Sequence, residues 1–380
     1  ITKEFKFTHY ALFVTFFPQL IAGPIVHHKE MLPQFMSLEG MKPRLENVMI
    51  GINIFALGLF KKIVLADGVA SYSTPVFDAA LTGEPLSLLV AWGGALAYTF
   101  QLYFDFSGYS DMAIGIARMF GIRLPLNFSS PYKSLSIIEF WRRWHMTLSR
   151  FLRDYVYFTL GGNRHGNVRR YINLFITMLL GGVWHGAGWT FLFWGSLHGV
   201  YLIINHAWLY IKQKAKIERL DNNSLWRRIC WLLTFVSIVN GWVLFRATSF
   251  DSAIIILKGM YGFNGIAIPN GIFTRLGGFS DILQKLGVTS YIGGGTQFIF
   301  TYGWIVILFC IVLMMPNTQQ IMRTFLNQEN PEGNAMCDKG VFPNALIFRF
   351  SATWAIVISS ALVISIFGLT RVSEFLYFQF

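Results

Sequence analysis

From Tyr171 to Ile211 the chain carries no Asp, Glu, Lys or Arg. A transmembrane helix needs about 20 apolar residues, at about 1.5 Å rise each, to cross about 30 Å of hydrocarbon. The run is long enough for two spans joined by a tight turn. In its middle stands LLGGVWHGAGWTFLFWG, Leu179 to Gly195, where His185 is surrounded by glycine and apolar side chains. An ionisable side chain in lipid is expensive and marks a functional site by default. The scarcity of charge is not local: 13% of the 380 residues are charged and 54% are hydrophobic, where a soluble domain carries about 25% charged residues. The fold class expected is all-α, a polytopic membrane bundle. The short alternating segments of a β-barrel are absent.

Further apolar segments recur at Tyr10–Ile25, Val48–Val64, Leu86–Tyr103, Cys230–Phe245, Phe298–Met315 and Ala345–Leu369. Basic connectors, Arg142–Arg170 and Lys212–Arg228, flank the Tyr171–Ile211 hairpin, and the bias of Lys and Arg toward the inner face puts both in the cytoplasm. Residues 247–295, rich in glycine, then fall outside as an extracytoplasmic loop, and 316–343 inside. The net charge of +12 follows from the same bias. Because the basic residues border spans rather than form a solvated domain, no nucleic-acid partner is expected. Cys230, Cys310 and Cys337 are odd in number and form no CxxC, and no HExxH spacing occurs, so neither a disulfide framework nor a metal site is expected. The chain opens on Ile1 and enters an apolar segment almost at once, which reads as a single transmembrane domain, 1–380, lacking earlier spans.

Two segments do not fit simple spans. Glu139–Phe158, EFWRRWHMTLSRFLRDYVYF, is too charged to cross lipid. At helical spacing Trp141, Trp144, Leu148, Phe151 and Tyr155 share one face, and Arg143, Arg150 and Asp154 another. That pattern predicts an amphipathic or re-entrant helix over 139–158. Its arginines are either solvated anchors or, near an acidic ligand, phosphate holders. In Gln101–Gly121, Asp105 and Asp111 lie among apolar residues on different helical faces, so a paired-carboxylate site is not implied. Each is expected to be held by neighbouring donors, with Ser107-Gly108 a candidate break. Among the histidines, His198 in WGSLHG is open between a structural and a pocket role. His145 sits on the arginine-bearing segment, and His185 sits among glycines that allow close backbone approach. On composition alone a buried structural histidine fits either as well as a catalytic one. The glycines with Trp184 and Trp189 favour a cavity over a tight core.

Six blocks occur in order: FFPQLIAGPIVHHKEMLPQF, QLYFDFSGYSDMAIGIARMFGIRLPLNFSSPY, FWRRWHMTLSRFLRDYVYFTLGGNRHG, NLFITMLLGGVWHGAGWTFLFWGSLHG, GWVLFRATSF and the terminal FLYFQF. Together they resemble the membrane-bound O-acyltransferases, specifically the bacterial alginate O-acetylation type. The resemblance implies a bundle of transmembrane and re-entrant helices around a funnel that reaches the membrane midplane. It implies that His185, in the WHG motif, is catalytic, with His145, in RRWH, its companion near the tunnel. It further implies transfer of an acyl group, here acetyl from cytoplasmic acetyl-CoA, to a hydroxyl on the outer face of the bacterial cytoplasmic membrane. The acceptor would be an exopolysaccharide or a partner acetyltransferase within a polysaccharide synthesis and export complex. Acetyl-CoA is substrate, and no bound cofactor is expected.

Acyl transfer to an alcohol requires the hydroxyl proton to leave as oxygen attacks. A neutral imidazole accepts it near pH 7, and a positioned general base contributes about 10²–10⁴-fold. The developing oxyanion needs donors, for which a backbone N–H beside Gly186, the Trp184 indole and the His145 ring are candidates. Ser149, one turn beyond His145, is the reservation against direct transfer. Arg142, Arg143, Arg150, Arg153 and Arg164 are placed to hold the donor's phosphates at the cytoplasmic mouth. Three alternatives stay open: D-alanyl transfer to teichoic acid, a proton-coupled transporter with His185, Asp105 and Asp111 as relay, and a structural scaffold for polymer export.

Overall fold

The computed structural model describes residues 6–20, 23–37, 44–326, 344–370 and 376. In chain order the helices begin with α1 (Phe7–Thr15), α2 (His28–Phe35), α3 (Leu45–Phe60), α4 (Asp67–Leu81) and α5 (Leu88–Met119). Next come α6 (Ile137–Arg143), α7 (Met146–Phe151), α8 (Gly166–His185), α9 (Trp189–Lys214), α10 (Ser224–Arg246) and α11 (Phe250–Met260). The last are α12 (Asn270–Phe273), α13 (Gly278–Lys285), α14 (Gly295–Met314), α15 (Thr318–Ile321), α16 (Arg323–Leu326) and α17 (Ala352–Gly368). Strand is confined, among the described residues, to β1 (Ile266–Pro269) and β2 (Val288–Tyr291), paired in parallel with Ile266 opposite Val288.

Among the described residues three helices are long and apolar enough to cross a membrane: Leu45–Leu81, α10 and α14, with α17 a shorter apolar helix. The first of these is continuous because α3 runs through a π-helical turn, Lys61–Ala66, into α4. The uncharged run Tyr171–Ile211 folds as the expected pair, α8 and α9, turning at residues 186–188. Its glycine, tryptophan, histidine and asparagine content keeps it below the hydropathy of the three apolar spans. Small residues instead bring its two arms together. A Cβ on Gly195 would stand 2.5 Å from the Met178 carbonyl oxygen and 3.1 Å from the Gly182 Cα. Close backbone approach at small residues is how helices associate where no hydrophobic drive separates them from lipid.

The centre of the bundle is α5, with 23 of its 32 residues buried. A helix buried around most of its circumference is a core element rather than a lipid-facing one. Ser107-Gly108 does not break it: the glycine serves packing, and α5 is continuous from Leu88 to Met119. Around it lies an aromatic core that includes Tyr98, Tyr132, Phe140, Trp144, Trp194, Trp242 and Phe245.

Two segment readings change. Residues 247–295 are more than a loop, since α11 buries Ala253, Ile256, Gly259 and Met260 in the bundle. Segment 139–158 is not one amphipathic helix. It is α6, a sharp corner at Trp144-His145, α7 and a π-helical turn over Leu152–Tyr157. Residues 327–343 with Cys337, and the terminal FLYFQF apart from Leu376, lie outside the described residues.

Candidate active site

The corner between α6 and α7 exists because one side chain holds it. Ser136 caps α6 by accepting from the Glu139 N–H, and the helix ends at Arg143. Trp144 is extended, and His145 takes φ 42°, ψ 55°, the left-handed region. A residue with a Cβ is uncommon there and persists only when its surroundings impose it. Asn127, eighteen residues upstream, imposes it. Its main-chain oxygen accepts from the Met146 N–H at 2.9 Å. Its side-chain oxygen accepts from the Thr147 N–H at 3.3 Å and the Thr147 hydroxyl at 2.9 Å, and lies 3.0 Å from His145 Nδ1. Thr147 Oγ1 also accepts from the Ile25 N–H at 3.1 Å, which ties the N-terminal FFPQLIAGPIV block to the same corner.

His145 is 3% exposed, and its ring stands edge-on to Phe106 at 4.8 Å. His185 is the last residue of α8 and is 8% exposed. Three aromatic rings surround it edge-to-face: Trp184 at 4.9 Å, Phe245 at 5.0 Å and Trp194 at 5.2 Å. Trp184 is half-exposed and is the shared neighbour, with its ring 6.5 Å from that of His145. The two imidazoles therefore flank one indole. Each is buried, with aromatic rings packed against it. Such a pair can take and give protons at a site from which bulk water is largely shut out.

The remaining site residues fall elsewhere. The Gly186 N–H donates to the Val183 carbonyl at 3.2 Å, so it is committed to closing α8 and is not an oxyanion donor. His198 is fully buried one layer behind, with Trp194 between it and His185. Its Nδ1 accepts from the Trp141 indole at 3.3 Å, and its Nε2 abuts Gly241, where a Cβ would come within 2.7 Å. The Ser149 hydroxyl turns back onto the Trp144 carbonyl at 3.4 Å rather than toward an imidazole.

Asp105 and Asp111 are held by donors, as expected, and these come from the π-helical turn after α3 and, for Asp111, from α15. Lys62 Nζ is 2.6 Å from Asp105 and 2.8 Å from Asp67. Lys61 Nζ is 2.6 Å from Asp111, which also accepts from Thr318 at 2.7 Å and Gln319 at 2.8 Å. The π-helical turn carries these consecutive lysines to two aspartates on different faces of α5.

The arginines divide into two groups. Arg143 pairs with Glu139 at 2.9 Å, Arg150 grips Glu30 through two bonds of 2.6 and 3.1 Å, and Arg153 pairs with Asp154 at 2.7 Å. Arg142 and Arg164 are exposed. Sequence reasoning missed Asn127, Lys61, Lys62, Trp194 and Phe245 as site-builders. Asn127 carried only the weak signal of a polar residue ahead of Ser-Ser-Pro.

Residues 2–245 match the membrane-bound O-acyltransferase family, MBOAT. The chain is 51% identical over 270 residues to a peptidoglycan O-acetyltransferase of Helicobacter pylori, covering 70% of this chain and 50% of that protein. It is 44% identical over 256 residues to a probable alginate O-acetylase of Pseudomonas aeruginosa, covering 67% of this chain and 46% of that one. It is 31% identical over 264 residues to a teichoic acid D-alanyltransferase of Streptococcus thermophilus, covering 64% and 63%. The chain thus spans about half the length of the first two relatives. The matched region runs through both histidine motifs and the whole aromatic wall as far as Phe245, and so the membrane-embedded chain belongs to the membrane-bound O-acyltransferase family.

Proposed function

We propose that this protein is an O-acyltransferase of the bacterial cytoplasmic membrane. It moves acetyl from cytoplasmic acetyl-CoA to a hydroxyl of an extracytoplasmic polysaccharide, directly or through a partner acetyltransferase. The observation that carries the reading is the meeting of His185 and His145 around Trp184 within an aromatic enclosure. His185 takes the hydroxyl proton as the acceptor oxygen adds to the thioester carbonyl. The tetrahedral intermediate then loses its C–S bond, and the proton passes from His185 to the departing sulfur, so that the imidazole returns neutral. The indole N–H of Trp184 is the donor available to the oxyanion. Ser149 Oγ turned onto a carbonyl supports direct transfer over a serine ester.

Acetyl is favoured over D-alanyl because the relatives of higher identity bear O-acetylating names. A saccharide acceptor is favoured by the same names. The transporter reading loses its relay, because Asp105 and Asp111 face lysines of the Leu45–Leu81 helix.

The test uses membrane vesicles carrying the chain, acetyl-labelled acetyl-CoA, and wild type against His185→Ala at matched expression. Alkali-labile label on polymer or partner protein is expected in the wild type, falling about 10²–10⁴-fold in the variant. Persisting label in His185→Ala would make that histidine structural. Label only from a D-alanyl carrier protein would assign the chain to D-alanylation.

A further inference from the structure

We infer that Asn127 is a positioning residue that fixes His145 as the Nδ1–H tautomer, so that His145 presents a proton-accepting Nε2 and cannot serve as the oxyanion donor. The assignment of a histidine proton follows from what the other nitrogen meets, and here that partner can be identified without ambiguity. The Thr147 main-chain N–H can only donate, and it points at the Asn127 side chain. The atom facing it must be the amide oxygen, because the amide nitrogen there would set donor against donor. The same oxygen lies 3.0 Å from His145 Nδ1. An oxygen with only lone pairs to offer requires that Nδ1 carry hydrogen, and a neutral ring then has its lone pair on Nε2.

Two further observations point the same way. Among the described residues the buried Asn127 amide nitrogen meets no acceptor, whereas its oxygen meets three donors. The main chain shares in the clamp. Asn127 O binds the Met146 N–H, which locks the left-handed His145 from the residue that follows it. The ring thus has its rotation, its backbone and its proton set by one neighbour. A neutral amide does this without adding a buried negative charge beside the ring, as a carboxylate in the same place would.

This inference rests on the acyl-transfer reading for its consequence and on geometry alone for the tautomer, so the experiment separates them. Full-length protein with ¹⁵N-histidine is prepared in detergent micelles, with His145→Gln used to assign the resonance. In the wild type the His145 signals are expected to show a protonated Nδ1 and a bare Nε2. Asn127→Asp, which keeps an oxygen toward the ring while adding negative charge beside it, is expected to keep hydrogen on Nδ1. Asn127→Ala is expected to move hydrogen toward Nε2. It should also lower kcat for acetyl transfer by at least about tenfold while leaving the donor KM within about threefold, since a mis-set His145 tautomer disturbs proton handling beside His185 without removing binding. A wild-type ring with hydrogen on Nε2, or on both nitrogens, overturns the inference. So does Asn127→Ala with tautomer and kcat unchanged. Should Asn127→Ala fail to fold, the wild-type and Asn127→Asp spectra decide it. If the wild type shows the Nδ1–H ring but no acyl transfer, the functional proposal falls and the tautomer stands.

Discussion

Gly58 and Gly108 meet backbone to backbone: a Cβ on Gly58 would stand 2.6 Å from the Gly108 carbonyl oxygen, and one on Gly108 would stand 2.7 Å from the Gly58 oxygen. Seven residues along each helix the contact repeats, with a Cβ on Gly115 falling 2.6 Å from the Gly51 oxygen. These two contacts set the α3–α5 spacing that lets Lys61 and Lys62 reach across. Gly108→Ala forces the helices apart at the site of the ion pairs, and overpacking of this kind costs about 1–3 kcal/mol. A lowered midpoint for thermal unfolding in detergent is the expected outcome. An unchanged midpoint would show that the helices are free to separate.

The two partners of the inner ion pair are not equivalent. Removing Lys62 leaves both Asp105 and Asp67 without it, whereas removing Asp105 leaves Lys62 still paired with Asp67. Breaking a buried pair by deleting one partner costs about 3–5 kcal/mol because the other charge is stranded. Lys62→Met is therefore expected to destabilise more than Asp105→Leu, and Lys62→Met/Asp105→Leu to recover part of the loss. If the pair is structural, the double variant keeps acyl transfer wherever it folds. Loss of transfer in a well-folded double variant would return these residues to the reaction.

Those lysines mark where sequence reasoning stops. The hairpin, its turn beside Gly186 and the prominence of His185 were legible, because absence of charge, glycine spacing and a stranded histidine are local signals. The corner at His145 was not. Trp141, Trp144 and Leu148 keep helical spacing straight through it, and the force that breaks the helix comes from Asn127, outside the segment. Nor does periodicity reveal a π-helical turn, so consecutive Lys61 and Lys62 gave no hint that they serve different aspartates. The resemblance to the acyltransferases named the two histidines without saying what holds either.

His198 provides a control for His185. Both are buried against Trp194, yet His198 uses Nδ1 to accept from Trp141 and has Gly241 against Nε2, which leaves no approach for a substrate. His198→Gln is expected to loosen the aromatic core and lower the unfolding midpoint while kcat stays within about tenfold of wild type, short of the general-base effect expected at His185. A loss of transfer as deep as that of His185→Ala, in protein of undiminished stability, would give His198 a direct part in the chemistry.

The last expectation concerns the donor. With acetyl-CoA as the proposed donor, its anionic phosphates are expected to stay in water at the mouth while the thioester reaches inward. An arginine already held by a carboxylate meets a phosphate with its charge partly spent, although an exposed pair is itself worth only about 0–1 kcal/mol. Arg143, Arg150 and Arg153 are in that state, whereas Arg142 and Arg164 are exposed. A hydrogen bond to a charged group contributes about 1.5–3 kcal/mol. Arg142→Ala and Arg164→Ala are therefore expected to raise the KM for acetyl-CoA by about tenfold or more, with kcat unchanged, and Arg150→Ala and Arg153→Ala by less. The difference should shrink as salt is added, since exposed charges are screened beyond about 8 Å at physiological ionic strength. Steady-state kinetics in vesicles at two salt concentrations measures all of this. A KM unmoved by both Arg142→Ala and Arg164→Ala would place the donor's phosphates on another surface.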